Sequence, residues 1–327
     1  MTGGPVKSMV GGTGVLDRFW PAWARGNTGD RAFGTVLVAA GAAIPAVFAL
    51  LLYEVGRAAW PAVRSFGATF LTSTAWDPVA QKFGALPFLW GTVVSSLLAL
   101  LLAVPLGLGV AVFLVELAPR WLATPVGFLT ELLAAIPSVV YGLWGIFVLI
   151  PWLRTSVEPF LQRWLGFLPM FQGPAYGVGM LAAGVILAIM IVPFISAVSG
   201  EMLLAVPRSE REASLALGAT RWETVRYIVM PHARSGIVGA VMLGLGRALG
   251  ETMAVTMVIG NNPSIDASLF APANTLASAL ANEFAEATGE LHLGALMELG
   301  LILLLLTVAV NVVARVLVWR IERGRRV

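Results

Sequence analysis

The sequence predicts an all-α integral membrane protein with six spans, and three observations predict it. Of 327 residues, 58% are apolar and only 12% are charged, against about 25% charged in soluble domains. Mean hydropathy is +0.86. Uncharged stretches recur at or above the roughly 20 residues that a helix needs to cross the hydrocarbon core. Such a chain forms one membrane domain rather than two soluble ones.

The elements follow in order. Residues 1–31 are Gly-rich, polar and irregular. They lack the apolar core of a cleaved signal, so the first span, Ala32 to Tyr53, is expected to remain in the mature chain. Arg31 and Glu54 enclose 22 uncharged residues, Lys82 and Glu116 enclose 33, Glu131 and Arg154 enclose 22, and Arg163 and Glu201 enclose 37. Four spans result, the longer stretches including some loop. A fifth, Ser235 to Ile265, is broken only by Arg247 and Glu251. A sixth, Leu291 to Ala314, is broken only by Glu298. The membrane domain is therefore expected over 32–320, with a basic tail over 321–327.

Six spans put both termini on one side. The flanks 1–31, 116–131, 201–234 and 315–327 hold 15 of the 21 Lys and Arg residues; the opposite loops hold 5, and Arg247 is the remaining one. The positive-inside rule places the richer set, with both termini, in the cytoplasm. Tryptophans at span edges, among them Trp60, Trp76, Trp121, Trp152 and Trp319, suit an aromatic belt in contact with lipid.

Several chemistries are excluded. There is no cysteine, hence no disulfide framework, iron–sulfur ligation or thiol catalysis. His232 and His292 lie too far apart in sequence to suggest a metal cluster. Lys7 and Lys82 stand outside any Gly-x4-Gly-Lys-Ser/Thr context, so no P-loop is present. The spacing Gly244-x-Gly246-x-x-x-Gly250 is not a dinucleotide fingerprint. No catalytic residue, bound cofactor or nucleic-acid partner is expected.

Residues 205–234 are polar and Arg-rich. Pro207 and Ser209 suit a helix start, with Glu210 and Glu212 where the helix dipole favours acids. Gly218 would let another backbone approach, and Pro231 would end or kink the helix. An amphipathic cytoplasmic loop is the plainer alternative. The spacing of Glu212, Ala213, Gly218, Ile228 and Pro231 resembles the EAA loop of ABC importer permeases, with Ser214 and Met230 at two departures from the pattern. That resemblance implies a coupling helix docking on a separate ATPase, Glu212 making the charged contact.

The fifth span carries Arg247 at an expected depth of roughly 18 Å, at 1.5 Å per residue. An arginine there costs at least ~2.5–3.5 kcal/mol and demands a partner or a wet cavity. Glu251, four residues on, falls on the same helical face. One reading is a self-satisfying structural pair. The other is a substrate site, because a planar cationic fork suits a tetrahedral oxyanion. Glu251 would hold the fork in the empty site and accept a proton from a protonated anion, and Thr252 would add a hydroxyl. Gly246 and Gly250 have the spacing of a close helix contact. In the third span, Pro137 frees a carbonyl, either as a packing kink or to line a cavity with Ser138.

Three stretches make the resemblance specific: Ala134 to Gly145, Gly244 to Val255 and Pro272 to Ala287. With the EAA loop they resemble the permeases of phosphate-specific ABC importers (the Pst type), on the PstC-like side, over roughly residues 30–320. The resemblance implies a type I importer fold and a PstA-like second permease. It also implies two ABC ATPase subunits holding ATP and Mg, and an extracytoplasmic phosphate-binding protein. It carries Arg247 and Glu251 over as transport residues. Importers of sulfate or molybdate, a stand-alone secondary carrier and a non-transporting sensor are the rival functions.

Overall fold

The structure, a computed structural model, describes residues 28–323. Residues 1–27 of the N-terminal tail and 324–327 of the basic tail lie outside the described residues. Two units are distinguished, residues 1–54 and 55–327.

Among the described residues the chain is helical, with isolated bridges and no strand. Helix α1 is Thr28–Phe66. After a single turn at Thr69–Thr72 come α2, Leu86–Leu117, and α3, Arg120–Ala135. Helix α4 is Ser138–Leu165 and α5 is Met180–Leu204. The polar segment gives α6, Arg208–Ala216, followed by α7, Arg221–Leu249. Three more follow: α8, Met253–Val258, α9, Leu276–Glu283, and α10, Glu290–Arg323.

Six described helices are long and apolar enough to cross a membrane: α1, α2, α4, α5, α7 and α10. The number agrees with the sequence reading, but two boundaries do not. The third span does not begin near Glu131. That stretch belongs to α3, a separate helix on which Glu131 is exposed, and the span begins at Ser138. Ile136 is extended, with ψ of 129°, because a proline disfavours α geometry in the residue before it, and Pro137 itself is extended as well, with ψ of 140°. The same span also runs past Arg154 and buries Glu158, which accepts a hydrogen bond from the Gly177 amide at 2.9 Å. Counting uncharged residues cannot see a carboxylate whose partner lies in a later loop.

Packing centres on α5, of whose most apolar stretch 67% is buried, against 28% or less in the other spans. Its core residues Ile186, Leu187, Ile191 and Ile195 are fully enclosed. A Cβ at Gly107 of α2 would stand 2.9 Å from Ile195, and one at Gly184 would stand 2.4 Å from Leu98 of α2. The two spans therefore lie parallel and close. The loop before α9 satisfies the first amides of α5: Met180 donates to the Ala271 carbonyl and Leu181 to that of Leu269. Such pairing is what lets irregular backbone exist at membrane depth.

A second cluster joins residues 62–89 to α9 and α10 through Ala62, Phe70, Phe83, Phe88, Leu276 and Leu296. Here Trp76, half-buried, has partners within the chain. Its indole Nε1 donates to the Glu283 carboxylate at 2.8 Å, and its ring meets Phe88 edge-on at 4.7 Å. Glu298, the charge that breaks the sixth span, is buried at 7% exposure, one residue before fully enclosed Leu299.

Candidate functional site

The expected fifth span, Ser235 to Ile265, is not one helix. It breaks between Leu249 and Met253. Gly250 is the last residue near helical geometry (φ −95°, ψ 0°), and Thr252 follows with φ −109° and ψ −66°. Residues four apart share a face only within a continuous helix, so Arg247 and Glu251 are separated. Among the described residues they form no ion pair. Glu251 Oε1 accepts instead from the Ala254 amide at 3.3 Å, capping the start of α8. Thr252 Oγ1 donates to the Gly250 carbonyl at 3.3 Å and so stays within the break.

Arg247 lies in the last turn of α7. Its guanidinium carbon sits 4.3 Å from the centroid of the Phe194 ring on α5. Its Nε is buried without a hydrogen-bond acceptor. What brings the two helices together is Gly244, three residues before Arg247. A Cβ there would stand 3.1 Å from Ile195, the residue after Phe194. Gly236, two turns earlier, is closer still, 2.2 Å from Met202. The close-contact glycines are thus Gly236 and Gly244. Gly246 and Gly250, expected in that role, meet no other helix within 4 Å.

The Pro137 break faces the same region. A Cβ at Gly142 would meet Met257 at 2.4 Å and Ala254 at 3.3 Å, and one at Gly145 would meet Val258 at 2.7 Å. The first turns of α4 and α8 therefore run in parallel, which puts Ser138, half-buried, level with the α7–α8 break. Pro137 has no amide for the Leu133 carbonyl four residues before it. The Tyr141 hydroxyl takes that place, donating to Leu133 O at 2.7 Å. Tyr141 is also within electrostatic range of Arg247. Two backbone breaks, one cation, a serine and a tyrosine are thereby gathered against α5.

The polar segment folds as a hairpin of helices. Helix α6 ends at Ala216. Gly218 then adopts φ +86°, a conformation that costs a residue with a Cβ. Nothing lies within 4 Å of a Cβ built there. Within this chain Gly218 is therefore required by the turn and not by a close neighbour, as the spacing argument had it. Thr220 starts α7 with a capping box shared with Glu223, an arrangement that satisfies two orphan amides at once. Nor does Pro231 end the helix. It lies inside α7, which passes it through a wide turn over Val225–Val229. Glu212, Ala213 and Pro231 are exposed and Ile228 is half-buried.

The charges of this hairpin are tied to the flanking spans. Arg211 Nη2 donates to Glu116 at the end of α2 at 2.9 Å and to the Leu203 carbonyl at the end of α5 at 2.6 Å. Its Nη1 reaches the Val206 carbonyl. Glu210 meets His232 of α7 at 2.8 Å. Ser214 and Thr224 share a hydrogen bond of 3.0 Å.

Residues 103–327 match the family described as binding-protein-dependent transport system inner membrane component. The chain belongs to this family. It is 50% identical over 267 residues to the phosphate transport system permease protein PstC of Mesorhizobium japonicum, covering 80% of this chain and 82% of the relative. It is 49% identical to the protein of that description from Pasteurella multocida, over 82% and 85% of the two chains. Among solved structures, a chain of a bacterial alginate ABC importer superposes with a TM-score of 0.56 at 16% identity, covering 87% of this chain and 97% of that one. A methionine ABC transporter chain superposes with a TM-score of 0.55 at 19% identity, over 76% and 99%. These structural likenesses establish the type I importer permease fold alone.

In this permease, sequence reasoning missed Phe194, Tyr141, Arg211, Glu116 and the tie of Glu210 to His232. Only Tyr141 had a usable signal: its hydroxyl lies one turn after a span proline, on the far side of the break from the carbonyl that the proline leaves free. Nothing in sequence pairs Phe194 with Arg247, 53 positions apart.

Proposed function

We propose that this permease is one half of the translocation pathway of an ATP-driven importer of inorganic phosphate. The observation that carries the reading is Arg247: a span arginine beside two helix breaks, without a carboxylate partner, in a chain half identical to proteins named as phosphate permeases. A guanidinium is always charged and offers its donors in a planar fork, which suits a tetrahedral oxyanion. Ser138 and Thr252 add hydroxyls at the same level. Glu251, tied to the start of α8, is the group that would accept a proton from a monoprotonated anion and so favour phosphate over sulfate.

The energy source is a pair of ATPase subunits holding ATP and Mg, since this chain carries no P-loop. Exposed Glu212 and Ala213 of α6 are the docking surface for one of them. A PstA-like permease completes the pathway, and an extracytoplasmic phosphate-binding protein delivers the anion. Both termini and α6 then face the cytoplasm, as the Lys/Arg distribution requires. Closure of the ATPases moves α6 as a rigid body, and the ties of Arg211 and Glu210 pass that movement to α2, α5 and α7.

The test is phosphate uptake by the reconstituted importer carrying Arg247→Gln, with assembly and ATP hydrolysis followed in parallel. The expected result is an assembled complex that hydrolyses ATP and moves no phosphate. Uptake at the unaltered level overturns the reading.

A further inference from the structure

We infer that Phe194 is a positioning residue for anion transport: its ring supports the Arg247 charge while leaving the guanidinium donors free for the cargo. The inference rests on the reading of Arg247 as the anion-binding group.

Three observations carry it. The Arg247 guanidinium carbon lies 4.3 Å from the Phe194 centroid, within the roughly 6 Å over which a ring quadrupole attracts a cation. The nearest carboxylate in sequence, Glu251, is bound to the Ala254 amide, and Arg247 Nε is buried without an acceptor. Third, Phe194 belongs to the most enclosed span, between buried Pro193 and fully buried Ile195, and the Gly244–Ile195 contact fixes its distance from α7.

The chemistry differs from that of an ion pair in one respect. A carboxylate partner would occupy two of the five guanidinium N–H groups and would repel an arriving anion. A phenyl ring stabilises the cation through its face, takes no hydrogen bond and carries no net charge. An arginine supported in this way keeps its terminal Nη donors for an oxyanion and does not have to break a salt bridge when the anion arrives.

The experiment replaces Phe194 with mono-, di- and trifluorophenylalanine in the reconstituted importer. It follows phosphate uptake together with assembly and basal ATP hydrolysis, and Phe194→Leu, Phe194→Tyr and Arg247→Gln run alongside. Fluorination withdraws density from the ring face with little change of shape. Uptake should therefore fall stepwise by about 3- to 10-fold across the series, the range set by typical cation–π strengths. Phe194→Tyr should retain uptake and Phe194→Leu should lose it, with assembly unchanged in both. A flat fluorine series, or full uptake in Phe194→Leu, overturns the inference even where Arg247→Gln is inactive. Full uptake in Arg247→Gln overturns the transport reading beneath it.

Discussion

Arg211, in the hairpin between α5 and α7, donates to Glu116 and to the carbonyls of Leu203 and Val206. Arg247, near the end of α7, sits over a phenyl ring, and its buried Nε has no acceptor. The two cations share a residue type and differ in every partner. The Arg211 donors are consumed by α2, the end of α5 and the turn after it, as suits the proposed force-bearing joint. The Arg247 charge is offset without a hydrogen bond, as suits the proposed anion contact. On this reading the arrangement of partners, more than the presence of charge, separates a structural arginine from a binding one.

The comparison can be broken at several points, beginning with the largest effect. Arg211→Ala leaves half-buried Glu116 without its cation and the Val206 carbonyl without its Arg211 donor, while the Leu203 carbonyl keeps the Val206 amide at 3.3 Å. Removing one member of a buried pair costs on the order of 3–5 kcal/mol; because Arg211 and Glu116 retain 18% and 14% side-chain exposure, the lower end applies. The expected outcome is a complex that hydrolyses ATP but moves little phosphate, with a lower unfolding temperature in detergent. Coupled transport at the normal rate would show that the hairpin needs no such joint. Glu116→Gln, which keeps an acceptor for Arg211, should lose much less.

Tyr141→Phe tests the break that faces Arg247. It removes the shorter of two hydrogen bonds on the Leu133 carbonyl, the Ile136 amide remaining at 3.4 Å, and should cost about 1–1.5 kcal/mol, the upper part of the range for one intramolecular hydrogen bond. A thermal-stability scan reads the loss, and an unchanged midpoint would mean that the α3–α4 corner is held elsewhere. The smallest effect is expected at Gly218. Gly218→Ala must adopt φ +86° with a Cβ and should cost about 1 kcal/mol, with space for the methyl group itself. Gly218→Asn, which tolerates the left-handed region better, should recover part of it. If instead Gly218→Ala leaves stability intact and blocks ATPase binding, close approach of the partner is the true constraint.

Much of the fold was legible because lipid solvation writes itself into composition. Uncharged stretches of 22 to 37 residues gave four spans, two apolar runs broken by isolated charges gave the other two, and the EAA-type spacing located the hairpin. The boundaries failed where a backbone break fell inside an apolar run. Hydropathy sees nothing at Pro137 or Gly250, since neither carries charge, and it cannot see that Glu158 is satisfied by the Gly177 amide. The site was legible as a set of residue types, Arg247, Glu251, Thr252 and Ser138, but its geometry was not. The face-sharing of Arg247 with Glu251 assumed a continuous helix, and Gly250 ended it.

The sequence by itself determined the number of spans, the polar hairpin and the presence of a cation within the fifth span, because each is a matter of local composition and spacing. Only the tertiary structure decided what that cation faces. Its partner comes from another helix, brought within reach by a glycine contact at Gly244. Such a contact joins positions that nothing in the local sequence connects.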